Sequence, residues 1–281
     1  MPFILILVFS LAGILHHLQW ITGDVSWLLD LTQRMFHGGQ YVRDYLEVNP
    51  PLILYIYSLP VWLSHYISLP DYTLVRFEGY LIALFSLGFS YHLIQLVFTK
   101  DDKGFAQFFV VILSIIYLIV PVNQFSQREN ILFMLSMPYL LLMSLRFKKH
   151  TMSNFVCYAA GVFAGVGFSI KPYYLLMPLI LELFLQRRMK EGVKLFRPEN
   201  LTIMFVVLLY LLSIYCYFPS YFTMLFNYTL PYYKHFGAMP YSRLLSNGPV
   251  ILFFSMVFIS FLLKKTQTYP EVVLVYGVAA A

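Results

Sequence analysis

The sequence predicts an all-α, polytopic membrane protein, on the strength of its composition and of the pattern of its apolar residues. Of 281 residues, 60% are hydrophobic and 11% are charged, whereas a soluble domain carries about 25% charged residues. The apolar residues form continuous runs, and a helix of roughly 20 such residues crosses a bilayer while satisfying its own backbone hydrogen bonds. The short alternating segments typical of a β-barrel are missing from the pattern. We therefore expect a single transmembrane domain over residues 1–281.

The predicted spans follow one another with short connections. They are residues 3–20, 77–98, 105–122, 131–145, 154–170, 173–186, 201–218 and 249–263. Basic clusters occupy alternate connections, at Lys100/Lys103, Arg146 to Lys149, Arg187 to Arg197 and Lys264/Lys265. All four clusters face the cytoplasm if each run from residue 77 onward crosses once, in agreement with the positive-inside rule. The net charge of +6 then reflects the orientation of the chain in the membrane. We therefore expect no nucleic-acid partner.

The apolar run at 52–69 conflicts with this arrangement if it crosses the membrane completely. A full crossing would place Arg76 on the cytoplasmic side and invert every later connection. Pro60 lies inside the run, and proline in a helix interior breaks or kinks the helix. We therefore expect 52–69 to be re-entrant or interfacial.

The most polar stretch of the chain lies between the first two apolar runs, and we interpret about 21–51 as the first external loop. Its acidic residues are Asp24, Asp30, Asp44 and Glu47. The helical spacing of apolar residues over 24–36 predicts an amphipathic helix on the membrane surface. Gly38-Gly39 is expected to end that helix, and Tyr41 to Pro51 is expected to be extended.

A second external loop is predicted at about 219–248, where tyrosine is frequent and charge is scarce. Tyrosine is enriched at membrane–water interfaces, so one interpretation is an interfacial aromatic belt. The other is a lid or loop that contacts a ligand.

The predicted topology collects charged and amide side chains from separate segments on one external face. They are Asp24, Asp30, Asp44, Glu47, Arg76, Glu78, Gln127, Arg128, Glu129 and Lys171. A carboxylate can take the proton of an attacking hydroxyl as a general base. Arg and Lys can hold phosphate oxygens and stabilise the charge on a leaving group. The combination suits a reaction on a phosphate-bearing lipid.

The order of these residues resembles the GT-C superfamily of integral-membrane glycosyltransferases, in its bacterial branch related to protein O-mannosyltransferases and lipid A aminoarabinose transferases. The shared pattern is Asp24, an amphipathic helix at 25–37, Gly38-Gly39, Tyr41 to Asp44 and Pro50-Pro51-Leu52. Arg76 at the start of its span, FSQREN (125–130) and FSIKPYYLLMPLILEL (168–183) also resemble this branch. The likeness covers about residues 20–185. It departs at Val25, where many members carry Glu, and in its length, since members usually run longer.

The resemblance implies a GT-C-like helical core and an enzyme. Such an enzyme would move a sugar from a polyprenyl-phosphate donor to a glycan, lipid or protein hydroxyl, on the outer face of the bacterial cytoplasmic (inner) membrane. The implied roles are Asp24 as catalytic base, Asp44 and Glu47 lining the donor or acceptor site, Arg76, Arg128 and Lys171 binding substrate, and Glu129 orienting one of these cations. A divalent cation held by the oxygens of Asp44 and Glu47 is an open option.

All of these residues except Arg76 also have a structural alternative. Asp24 fits a helix N-cap, and Asp30 is expected to lie on a solvated helix face. Asp44 and Glu47 could be hydrated loop acids, Arg128 and Glu129 part of an interfacial turn, and Lys171 a snorkelling lysine. Glu182 is expected to form an ion pair near Arg187 and Arg188.

Two other functions remain open at this stage. A transporter or flippase for lipid-linked saccharides predicts charged residues deep within spans, lining a path. An inactive, truncated relative that acts as a subunit would explain the length. The charges of this chain lie mainly at span ends, which favours the transferase.

Overall fold

The computed structural model describes residues 1–96, 103–147, 149–189 and 196–231, and these are helical apart from short connections. The α-helices within them are α1 (Pro2–Leu18), α2 (Gly23–Phe36), α3 (Leu52–Ser64), α4 (Asp71–Gln95), α5 (Lys103–Leu118), α6 (Arg128–Phe147), α7 (Asn154–Ile170), α8 (Leu176–Met189), α9 (Pro198–Tyr217) and α10 (Ser220–Met224). The 3₁₀ turns are Val122–Gln124 and Pro172–Leu175, and Leu225–Thr229 is a π-helical turn. Across these ranges the structure contains no strand, only an isolated bridge between Tyr41 and Tyr45.

Helices α4, α6 and α9 are long and apolar enough to cross a membrane. The α1–α2 pair, bent by 81°, adds a fourth crossing if it counts as one span. Helices α5, α7 and α8 contain shorter apolar segments of 10–17 residues. The predicted all-α class with membrane-spanning helices is therefore confirmed at this coarse level. The predicted span at 249–263 lies outside the described residues.

Helices α4 and α6 run parallel to each other. Gly79 lies against Ser126 just before α6, and seven residues later the Ser86 hydroxyl donates to the carbonyl of Met134. Tyr117, near the end of α5, also bonds to Ser86 (2.9 Å), so α5 runs antiparallel to both. The starts of α4 and α6 and the end of α5 therefore lie together.

Helix α7 runs antiparallel to α6 and parallel to α9. The end of α6 bonds to the start of α7 through Arg146 and Cys157 (3.1 Å), while Gly161 and Gly165 of α7 meet Thr202 and Val206 of α9 in the same order. Such glycines four residues apart let two helix backbones approach closely.

One end of the helical bundle lies beside α2, and we call it the α2 end. The helices that start there are α4, α6 and α8. The helices that end there are α1, α5, α7 and α9. Arg146 and Arg197 of the basic clusters lie at the opposite end, as the positive-inside interpretation predicts. Lys100, Lys264 and Lys265 lie outside the described residues.

Helix α3 stays at the α2 end along its whole length. Its 13 residues are about 20 Å long, shorter than the roughly 30 Å of a bilayer core. The amide of Leu52 bonds to the Tyr210 hydroxyl (3.0 Å), and His65 just past the end of α3 contacts Phe36 of α2. These contacts agree with the expected re-entrant or interfacial segment. The expected break at Pro60 is wrong, because the helix continues through it.

The first external loop contains the predicted amphipathic helix, which begins at Gly23 and ends at Phe36. Gly38 follows with φ +80°, a conformation that favours glycine. The extended conformation expected from Tyr41 is wrong for its first part. Val42 has φ 70°, and its amide donates to the Tyr45 carbonyl (2.9 Å), which closes a tight turn.

The described part of the tyrosine-rich loop packs onto this first loop. Residues 220–231 are helical, first as α10 and then through the π turn. The Tyr221 ring lies 5.2 Å from the Tyr41 ring, and Thr229 Oγ1 donates to the Val48 carbonyl (3.4 Å). This part therefore covers the first loop, and residues 232–248 lie outside the described ranges.

The α7–α9 contact leads to a stability prediction. A Cβ added at Gly161 would lie 2.6 Å from the Glu199 carbonyl oxygen, so Gly161→Ala must push the two backbones apart. We expect it to lower the free energy of unfolding by about 1–3 kcal/mol, measured by SDS titration in mixed micelles. Gly88→Ala is the matched control, since a Cβ there meets nothing within 4 Å. Equal stability of the two variants would contradict the packing described here.

Candidate functional site

The α2 end brings Asp24 next to Arg128, 104 residues away in sequence. Thr22 Oγ1 caps α2 by accepting from the Val25 amide (3.3 Å). The N-cap alternative for Asp24 is therefore wrong, and its carboxylate is free for other partners. Asp24 still lies in the first turn, where the helix dipole favours a negative charge.

Arg128 and Gln127 hold the Asp24 carboxylate. Arg128 Nη2 donates to Oδ1 (2.7 Å) and Oδ2 (2.8 Å) of Asp24, and Gln127 Nε2 donates to Oδ2 (3.0 Å). The Asp24 side chain is 29% exposed, against 10% for that of Arg128. Of this pair, the carboxylate is the member that a substrate can reach.

Glu47 approaches the same arginine from the first loop. Its Oε1 lies 3.5 Å from Arg128 Nη1, and its other oxygen accepts from Trp27 Nε1 (2.9 Å). The backbone and side-chain amides of Asn49 donate to Oε1 as well. We call Asp24, Glu47, Gln127 and Arg128 the Arg128 cluster.

Beside this cluster, Lys171 forms an ion pair with Glu129. Lys171 follows the end of α7, and Glu129 is the second residue of α6. Burial alone would lower the pKa of Lys171, but the hydrogen bond and the charge of Glu129, together with Tyr173, outweigh burial and raise that pKa. Lys171 is thus a cation held against α6, rather than a snorkelling side chain.

Tyr57 and Trp27 support the cluster, although the sequence around them did not predict a polar role for either side chain. The Tyr57 hydroxyl donates to the Ser126 carbonyl (2.6 Å), and burial raises the pKa of Tyr57, so the hydroxyl stays protonated. The Ser126 amide donates to Asn130 Oδ1 (3.0 Å). These bonds fix the backbone that leads into Arg128. Both aromatic residues lie in apolar patterns, where the sequence predicts packing alone.

Two predicted site residues lie away from the cluster. Asp44 accepts from Arg43 (2.8 Å) and from the Gln40 amide (2.7 Å) on an exposed turn, and the Arg43 hydrogen bond lowers the pKa of Asp44. Arg76 donates to the Gln19 carbonyl (2.7 Å) between α1 and α4. The structure thus brings together Asp24, Glu47 and Arg128, with Glu129 and Lys171 beside them, and separates Asp44 and Arg76.

Asp44 and Glu47 do not fit the divalent-cation site considered above. Each carboxylate is occupied by different partners, one by Arg43 and the other by Trp27 and Asn49. Throughout the described ranges, no group of three or more His, Cys, Asp or Glu residues is placed to hold a metal ion.

Two described carboxylates at the opposite end, Glu182 and Glu199, are fully enclosed. Glu199 accepts from Arg146 (3.1 Å), and Glu182 accepts from Arg197 (3.0 Å) and from Asn200 (3.3 Å). Both acids are 0% exposed, so they join α6, α8 and α9 and offer nothing to a ligand. Glu182 thus forms the expected ion pair, with Arg197 among the described side chains, and the side chains of Arg187 and Arg188 lie outside those that the structure describes.

The arrangement at the α2 end can accept a proton and stabilise positive charge. A carboxylate has about four acceptor positions, and Arg128 and Gln127 take one on Oδ1 and two on Oδ2 of Asp24. Oδ1 therefore keeps a free position. Three carboxylates against two cations leave the combined group of the cluster, Glu129 and Lys171 formally negative. Such a group favours a transition state that gains positive charge.

Comparison with known proteins adds no assignment. No family model matches the chain, and neither the curated proteins nor the solved structures give a match. The GT-C resemblance therefore remains a prediction from the residues.

The buried arginine gives a second stability prediction. Arg128→Gln removes the partner of two carboxylates, and we expect it to lower the free energy of unfolding by about 2–4 kcal/mol. Arg34→Gln is the control, because the Arg34–Asp30 pair is about half exposed and such pairs contribute about 0.5 kcal/mol. Titration in mixed micelles compares the two. If both variants unfold alike, Arg128 does not hold the α2 end together.

Proposed function

We propose that the chain is a glycosyltransferase that moves a sugar from a polyprenyl-phosphate donor to an acceptor hydroxyl, with Asp24 as general base. The observation that carries the proposal is the meeting of Asp24 with Arg128, and of Glu129 with Lys171, at one end of a bundle of apolar helices. The acceptor would be a glycan, a lipid or a protein hydroxyl.

The reaction fits the charges of this group. Transfer from a sugar phosphate builds positive charge on the sugar ring, as in other glycosyl transfers, and the excess of carboxylates supports that charge. The acceptor hydroxyl donates to Oδ1 of Asp24, attacks the anomeric carbon and gives its proton to that oxygen. The bond from the anomeric carbon to the phosphate oxygen breaks, and both electrons leave with the phosphate.

Lys171 is the cation that suits the departing phosphate. Its side chain is 17% exposed, against 10% for Arg128, and its pKa is raised, so it carries a full positive charge. Glu129 positions the ammonium group. Because a lysine has three N–H donors, a donor remains available for the phosphate. Arg128 serves mainly to hold Asp24.

The location of the site suits a lipid donor and an external acceptor. The α2 end lies opposite Arg146 and Arg197, and basic residues favour the cytoplasmic side. The site would then face the outer side of a bacterial inner membrane. The flippase alternative has less support. It needs charged residues that line a path, whereas the buried acids Glu182 and Glu199 are both paired with arginines.

A transfer assay tests the proposal. Purified protein in liposomes receives radiolabelled polyprenyl-phosphate sugars and total membrane acceptors. We expect Asp24→Asn to lower the rate of label transfer by about 100-fold or more, the usual size of a general-base contribution. Lys171→Met should lower kcat/KM for the donor by about tenfold, the size of a lost charged hydrogen bond.

Asp30→Asn is the matched control, because Asp30 lies on the same helix but pairs with the exposed Arg34. It should transfer label as the unaltered protein does. Thermal unfolding of each variant separates a chemical effect from a folding defect. Unchanged transfer by folded Asp24→Asn would refute the assignment of the base, and no transfer by the unaltered protein with any donor would refute the reaction.

A further inference from the structure

A cavity of about 850 Å³ opens between the end of α1 and the start of α4. Prominent residues of its lining are Gly13, His16, Trp20, Tyr72, Arg76 and Phe77. No residue of the Arg128 cluster lines it. The site proposed above therefore does not account for this cavity.

Arg76 is a cation without an acidic neighbour in this cavity. Its Nη2 donates to the Gln19 carbonyl (2.7 Å), and the described lining residues include no Asp or Glu. Within the described part of the chain, no carboxylate forms an ion pair with Arg76. A charge beside mostly apolar walls is poorly solvated, so an anion entering the cavity would gain a strong, charge-assisted hydrogen bond.

His16, in the cavity wall, is held by the neighbouring helices. It is 3% exposed, and its Nδ1 bonds to the Tyr80 hydroxyl (2.6 Å). Its ring also stacks on the Phe125 ring, with 4.2 Å between the centroids. His16 therefore belongs to the packing that supports this wall, and Arg76 is the group that can bind an anion.

The remaining wall is apolar and open. Trp20 is 91% exposed and Phe77 is 59% exposed, and Phe77 belongs to α4, a helix long enough to cross a membrane. Exposed tryptophan and tyrosine near the end of such a helix are typical of the membrane–water interface. An occupant with an anionic head and a hydrocarbon chain matches both parts of the cavity.

We propose that this cavity binds an anionic, phosphate-bearing lipid, with the phosphate on Arg76 and the chain along Phe77 and Trp20. The site is separate from the Arg128 cluster, and the proposal does not depend on glycosyl transfer. Its chemistry suits an anionic diacyl phospholipid and a polyprenyl phosphate alike, and the experiment distinguishes these two sources.

Native mass spectrometry of the purified full chain tests the proposal. The probes, at equal concentration, are phosphatidylglycerol, a polyprenyl phosphate and zwitterionic phosphatidylcholine, with soluble glycerol phosphate as competitor. We expect one retained anionic lipid per chain, and the lipid retained identifies the source. Arg76→Gln should weaken its retention by about tenfold or more, while Arg43→Gln, at an exposed arginine, leaves it unchanged.

A second variant tests the proposal independently, in case Arg76→Gln does not fold. Gly13 lines the cavity, and a Cβ added there meets nothing within 4 Å. Gly13→Leu therefore fills the cavity without removing a contact, and it should abolish retention. Gly88→Leu, on α4, is its matched control because a Cβ there also meets nothing.

Three results would overturn the proposal. The first is equal retention of phosphatidylcholine and the anionic lipids. The second is full retention by Gly13→Leu and Arg76→Gln. The third is displacement of the lipid by glycerol phosphate at equal concentration, which would indicate a site for a soluble anion. Transfer activity is not a readout here, so the result is independent of the glycosyltransferase proposal.

Discussion

The described part of the α2 end depends on one interaction, the pairing of the buried cation Arg128 with two carboxylates. Arg128 occupies the first turn of α6, where the helix dipole disfavours positive charge, and it is 8% exposed. Both disadvantages are offset only if carboxylates surround the guanidinium group, and Asp24 and Glu47 do so. Because these acids come from α2 and from the first loop, neutralising Arg128 also fastens both segments onto the helical bundle.

The two ends of the bundle use the same interaction with different accessibility. At the opposite end Arg146 and Arg197 enclose Glu199 and Glu182, whose side chains are 0% and 1% exposed. At the α2 end Asp24 is 29% exposed. A fully enclosed ion pair can only join helices, whereas a partly open one can exchange a hydrogen bond with a ligand. This difference, rather than the number of charges, distinguishes the candidate site from structural ion pairs.

Short-range sequence patterns predicted the local structure, but they did not predict contacts between residues that are distant in sequence. The amphipathic spacing and Gly38 set the end of α2, because both act within one or two turns of helix. Asp44 and Glu47 are equivalent in sequence, three residues apart in one polar loop. The tight turn that begins at Tyr41 directs them apart, one to exposed Arg43 and the other to Arg128. The extended conformation expected for that loop does not indicate which of the two acids meets Arg128, because it leaves out this turn.

Val25 lies at a position that the core of this fold leaves to an apolar side chain. The GT-C resemblance would place Glu there, next to Asp24, but Val25 is 1% exposed and packs in the core. A carboxylate there would be buried without a partner, at a cost of several kcal/mol. Glu47 reaches Arg128 from the first loop. In the proposed reaction two carboxylates therefore lie beside one arginine, and Asp24, at 29% exposure against 7% for Glu47, is the one that a substrate hydroxyl can reach.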